Sequence, residues 1–285
     1  MILTVIMMIL PMILAVGIQY LTIFGMLFSN IFGVAFTSAS SGESPDIASI
    51  LEQAIYGWLD NTENLMMASL VYAVITSVVM WIWYSKTKSS NYGTKAVRQK
   101  IDIPKIAVGI VLIAITMQQI SSYISILVGI ISPETIEAYN RLMEEAGLTS
   151  DNITLAVFLY TVIFGPLAEE LTFRGVIMKI GLKKMPFIAV NIIQALLFGI
   201  YHMNPLQGIY TFCFGLCLGY VAYRTKGIKA SYFLHLVFNL SAVMQAVGIG
   251  DNPFIILVGV VASFALLYLG INLVAMATGA KSIED

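Results

Sequence analysis

Glu169, Glu170 and Arg174, then His202, then His235 with Asn239, are the residues of this chain best suited to chemistry, and they include both of its histidines. All of them interrupt strongly apolar segments. An ionisable group placed in such a segment is costly, so its retention points to a use. Carboxylates and imidazoles move protons, and an amide or imidazole can donate to a developing oxyanion, so the set suits hydrolysis.

Spacing assigns the first cluster two different tasks. Glu170 and Arg174 are four residues apart and share a helix face, where an ion pair lets two charges be buried together. Glu169 lies about 100° further round the same helix, without a local cation, and is free to act as a general base. Gly165-Pro166 just before the pair predicts a bend that frees backbone groups for other partners. Phe198 stands one turn before His202, and His235 and Asn239 are one turn apart. The bland alternatives are a structural acidic pair and histidines satisfied in a packed core. Gln118, Gln119, Asn191 and Gln194 are assigned to interhelical hydrogen bonding, Gly215 and Gly219 to a close helix approach, and Cys213 and Cys217 to packing rather than to a metal.

The surrounding segments define the solvent. Of 285 residues, 59% are hydrophobic and 11% charged, whereas soluble domains carry about 25% charge. With a mean hydropathy of +0.88, the chain belongs in a lipid bilayer. A net charge of −1 and the lack of a basic, aromatic-studded patch exclude nucleic acid as a partner. The uncharged stretch from Met1 to Phe36 lacks the basic start of a cleaved signal and is read as a membrane helix.

At about 20 apolar residues per crossing, eight spans are predicted near 5–34, 65–84, 106–131, 153–178, 187–203, 206–223, 231–248 and 253–276. The fold expected is an all-α polytopic bundle of about eight transmembrane helices, a single domain over 1–285. Lys86, Lys88, Lys95, Arg98, Lys100, Lys105, Lys179, Lys183, Lys184, Arg224, Lys226, Lys229 and Lys281 fall on one side. Glu43, Asp46, Glu52, Asp60, Glu63, Glu134, Glu137, Glu144, Glu145, Asp151 and Asp251 fall on the other, with Arg141 as their sole basic companion. The basic side is expected to be cytoplasmic, and both termini with it. Residues 46–63 and 133–148 have the spacing of amphipathic helices on the bilayer surface, capping the outer ends of the bundle.

The set Glu169-Glu170-x-x-x-Arg174-Gly175, Phe198-x-x-x-His202 and His235-x-x-x-Asn239 resembles the CPBP family of intramembrane proteases, which groups type II CAAX prenyl endopeptidases with Abi-type proteins of bacteriocin processing and self-immunity. The resemblance covers a core of about 150–250, while residues 1–150 are less recognisable. It implies a multi-pass enzyme of a prokaryotic plasma membrane that cuts prenylated, leader-peptide or other membrane-associated substrates. Within it, Glu169 and His202 would activate water, His235 and Asn239 would stabilise the oxyanion, and Glu170, Arg174 and Phe198 would support the site. Members are also described as metalloproteases, and Glu169, His202 and His235 would make a zinc ligand set with an open fourth position. The HExxH spacing is absent, so zinc is kept as an option and an obligatory metal is not expected. The competing function is a non-proteolytic scaffold or self-immunity protein that binds a membrane partner.

Overall fold

A computed structural model describes residues 2–41, 46–87, 101–148, 153–243 and 253–279. Ten helices make up the described residues: α1 Ile2–Ser40, α2 Ile47–Leu59, α3 Thr62–Lys86, α4 Ile103–Ile131, α5 Pro133–Glu145, α6 Leu155–Gly181, α7 Phe187–Tyr201, α8 Pro205–Thr225, α9 Ile228–Val243 and α10 Pro253–Ala277. Each of the eight predicted apolar runs is one helix, and the two amphipathic stretches are α2 and α5. Glu43, Lys88, Lys95, Arg98, Lys100, Asp151, Asp251 and Lys281 lie outside the described residues, as does the end of the 231–248 run.

Six helices, α1, α3, α4, α6, α8 and the Leu257–Ala277 stretch of α10, are long and apolar enough to cross a membrane. This is a multi-pass helical membrane protein. Of the other two runs, α7 is shorter than predicted, with 15 residues, or about 22 Å, and α9 is described over 16 residues. At the opposite extreme, the 39 residues of α1 make about 58 Å of helix, well beyond the roughly 30 Å of a hydrocarbon core.

Helix ends follow from local chemistry. The side chains of Asn61, Asp102, Thr154 and Asn204 accept backbone N–H groups at the starts of α3, α4, α6 and α8, satisfying donors a first turn leaves unpaired. Lys226 ends α8 in the left-handed region at φ 59°, and the Gly227 N–H returns to the Ala222 carbonyl, as in a Schellman-type stop.

The described charges sort to two ends. Lys179 donates to the Tyr84 carbonyl at the end of α3, and Arg224 to the Ala275 carbonyl and Thr278 at the end of α10, so the basic side chains cap one end of the bundle. The acidic helices α2 and α5 lie at the other.

The core is built around α4, α6, α7, α8, α9 and the end of α10. Without water to drive association, such helices need close fit or polar contacts. A methyl group at Gly199 would lie 2.6 Å from the Gly208 carbonyl oxygen, so α7 and α8 touch through their backbones. The Gly215/Gly219 pair brings α8 against α7 lower down, where a methyl at Gly219 would lie 1.9 Å from Asn191 Oδ1. Asn191 and Gln194 do bond across helices, to the carbonyls of Leu216 and Gly215. Gln118 and Gln119 do not: among the described residues neither side chain bonds to another helix, and Gln118 Oε1 is buried without a partner. Cys213 and Cys217 are free thiols packed in the core.

Candidate active site

The helix that carries the two glutamates is not regular. Gly165–Glu170 is flanked by two wider turns of π type, Leu159–Phe164 and Leu171–Ile177, a distortion frequent at functional sites. Pro166 accounts for the first of these, because it has no N–H to return to the preceding turn. Two carbonyls of that wide turn are taken by α9: Asn239 Nδ2 donates to the Thr161 carbonyl at 2.8 Å, and the Tyr232 hydroxyl to that of Ile163 at 3.2 Å. The bend expected at Gly165-Pro166 therefore has a second effect, tying α6 to α9 beside the motif residues.

Glu170 and Arg174 pair as their spacing predicts, at 3.0 Å and both fully buried. The guanidinium lies 4.3 Å over the Phe198 ring and also donates to the Gly215 carbonyl. The same Glu170 oxygen that receives Arg174 receives His235 Nδ1 at 3.1 Å. His235 Nε2 faces Glu169 Oε2 at 3.5 Å. Glu169 thus has an imidazole neighbour from a helix 66 residues away, and one ring links both carboxylates. Proton exchange between Glu169 and His235 needs no further group.

His202 closes α7, and its Nδ1 lies 2.8 Å from the Phe198 carbonyl. A carbonyl only accepts, so Nδ1 carries the hydrogen and Nε2 of the neutral ring is left as an acceptor. Phe198 meets both histidines edge-on, at 4.8 Å from the His202 ring and 5.9 Å from that of His235. Phe214 holds the other side of His235.

These side chains border one cavity of about 330 Å³, with Glu169, His202, His235 and Asn239 all in its wall. The mixed polar and apolar lining and the size fit water or a short peptide segment. Leu142 and Met143 of α5 lie over its outer end, so the surface helix expected to cap the bundle also forms part of the site. All four residues named as catalytic from their types and spacing meet there, and the three named as supports stand directly behind them.

Several cavity residues were missed. Tyr160 and Tyr201 line it, and the hydroxyl of Tyr201 is hydrogen-bonded to that of Tyr72 on α3. Only the position of Tyr201 next to His202 gave a signal; nothing local marks Tyr72, 129 residues distant. As for metal, the described residues contain no group of three histidine, cysteine or acidic side chains arranged to hold an ion. Of the zinc set considered above, Glu169 and His235 are neighbours, and the two His235 nitrogens face Glu169 and Glu170.

Residues 151–241 match the family described as type II CAAX prenyl endopeptidase Rce1-like. A protein of Bacillus subtilis (strain 168) named "Putative membrane peptidase YdiL" is 30% identical over 83 residues, 29% of this chain and 34% of that protein. The chain thus spans about a third of the length of the curated relative it matches. No solved structure matches it. The matched segment holds all three motifs, and the CPBP-family resemblance read from them is borne out over that segment.

Proposed function

We propose that the protein is an intramembrane endopeptidase of the CAAX type, acting on prenylated, leader-peptide or other membrane-associated chains from a plasma membrane whose cytoplasmic side is the basic end of the bundle. The observation that carries this reading is the convergence of Glu169, His202, His235 and Asn239 on one cavity within the helices. Glu169 takes a proton from water, with His202 Nε2 holding that water, and the new C–O bond turns the scissile carbonyl into a tetrahedral oxyanion. His235 and Asn239 stand on the side where that charge is stabilised. On collapse the C–N bond breaks, and the proton held by Glu169 passes to the leaving amine, restoring the carboxylate. Glu170 and Arg174 hold the His235 ring at the angle that faces Glu169. No obligatory metal is part of this reading, because a carboxylate and an imidazole suffice for the proton transfers.

The test compares peptides released by host membranes carrying wild-type protein with those from membranes carrying Glu169→Ala, at equal levels of inserted protein. Peptides unique to the wild type are expected, with rates falling at least about a thousandfold in the variant and unchanged after chelator treatment. Rescue of a deletion phenotype by Glu169→Ala would assign the protein a binding role instead, and loss of cleavage on chelation would restore zinc to the site.

A further inference from the structure

Several polar side chains line this cavity, among them Gln207 and Tyr210, whose hydroxyl pairs with that of Tyr139. Asn239 spends one amide hydrogen on the Thr161 carbonyl. Both nitrogens of His235 face carboxylates, at 3.1 and 3.5 Å. The Thr211 hydroxyl donates to the Gln207 carbonyl at 2.6 Å. Tyr201 differs. Its hydroxyl pairs with that of Tyr72, and two hydroxyls that share one hydrogen bond leave one hydrogen unspent. Tyr72 is 2% exposed, whereas Tyr201 borders the cavity. Either hydroxyl can donate in this pair; when Tyr72 donates, the remaining hydrogen is that of Tyr201.

The Tyr201 ring is also fixed. It stands edge-on to Phe173 at 5.4 Å and to His202 at 5.9 Å. Tyr72 packs with Ala168, the residue before Glu169. A donor locked in place before reaction, in a site poor in water, is the kind that stabilises developing charge without reorganising. Tyr160 lines the same cavity, but among the described residues no hydrogen bond fixes its hydroxyl.

We infer that Tyr201 is a further catalytic residue, whose hydroxyl, oriented by Tyr72, donates to the oxyanion formed when water adds to the scissile carbonyl; this rests on the hydrolytic reading above. The experiment first identifies the most abundant peptide that wild-type membranes, but not Glu169→Ala membranes, release. That sequence is then made synthetically and used to measure kcat and KM for purified wild type, Tyr201→Phe and Tyr72→Phe. Removing a donor used only in the transition state lowers kcat about a hundredfold in Tyr201→Phe and leaves KM within about twofold. Tyr72→Phe breaks the same tyrosine pair but keeps the cavity hydroxyl, so its loss stays below about tenfold. Equal losses in the two variants would mark the pair as structural and overturn the inference, as would an unchanged kcat in Tyr201→Phe. If wild type and Glu169→Ala release the same peptides, the hydrolytic reading falls and this inference falls with it. A difference between those two, alongside a fully active Tyr201→Phe, removes Tyr201 alone.

Discussion

The helix pairs α4–α10 and α7–α8 both approach to backbone contact, yet they fill the space around their glycines with opposite chemistry. At the first crossing a methyl on Gly109 would meet the Gly270 carbonyl oxygen at 2.8 Å and Val274 at 3.0 Å, and the neighbours are aliphatic. At the second, the space above Gly215 and Gly219 is occupied by Arg174, Asn191 and Gln194. Close apolar fit makes up most of this α4–α10 crossing, with the Asp102 N–H bonding to the Ala277 carbonyl at its basic end, whereas the α7–α8 crossing buries polar groups. Their cost is accounted for by what they hold. Arg174 and Gln194 converge on the Gly215 carbonyl, and Arg174 carries Glu170, which carries His235.

That contrast is sharpest at Arg174. Replacing it by Met removes the guanidinium from a fully buried carboxylate, and breaking such a pair from one side costs about 3–5 kcal/mol. A large drop in the thermal midpoint of the detergent-purified protein is expected. Adding Glu170→Gln should recover stability but not cleavage. If the single variant melts like wild type, the charged layer is not what holds α6, α8 and α9 in register.

A smaller effect of another kind is expected at the apolar crossing. Gly109→Leu overpacks α4 against α10, costing about 1–3 kcal/mol, while the molecules that remain folded keep wild-type kcat because no group of the cavity wall moves. Loss of activity per folded molecule would show that the two crossings are coupled.

The smallest expected change is at the basic end of α4. Asp102 caps that helix and pairs with Lys105 at 2.6 Å, and the lysine hydrogen bond holds the carboxyl below its ordinary range. A carboxyl shifted down favours the folded state when ionised. Its contribution is therefore present at neutral pH and is lost as pH falls through the ordinary carboxylate range and then the lowered value. Asp102→Asn keeps the cap but not the charge, so melting curves of the two proteins should differ slightly at neutral pH and converge in acid.

The distinction between local and distant relations also explains what could be read from the residues alone. Apolar runs gave every helix, and the i, i+4 rule gave the Glu170–Arg174 pair, because each is settled within a few turns. His235 between two carboxylates, and Tyr72 against Tyr201, depend on how α3, α7 and α9 dock, which no spacing within one helix encodes. Glu169 was therefore read as lacking a local cation, and which imidazole docks against it, His235, is set by α9. The short α7 was overextended to 203 for a related reason: Tyr201, His202 and Met203 are compatible with a helix, and the chain turns only through Met203 at φ 51° and the Asn204-Pro205 start of α8.

Pro166 lies in the wall of the cavity and also acts beyond it. Because its ring nitrogen has nothing to donate, the neighbouring strand of carbonyls recruits an amide from the very helix that bears the second imidazole. Restoring an ordinary backbone at 166 would give Thr161 a rival suitor, unhitch Asn239, and let the seventh apolar run drift. Asn239 also lines the cavity, so its hold on Thr161 can be loosened without replacing it.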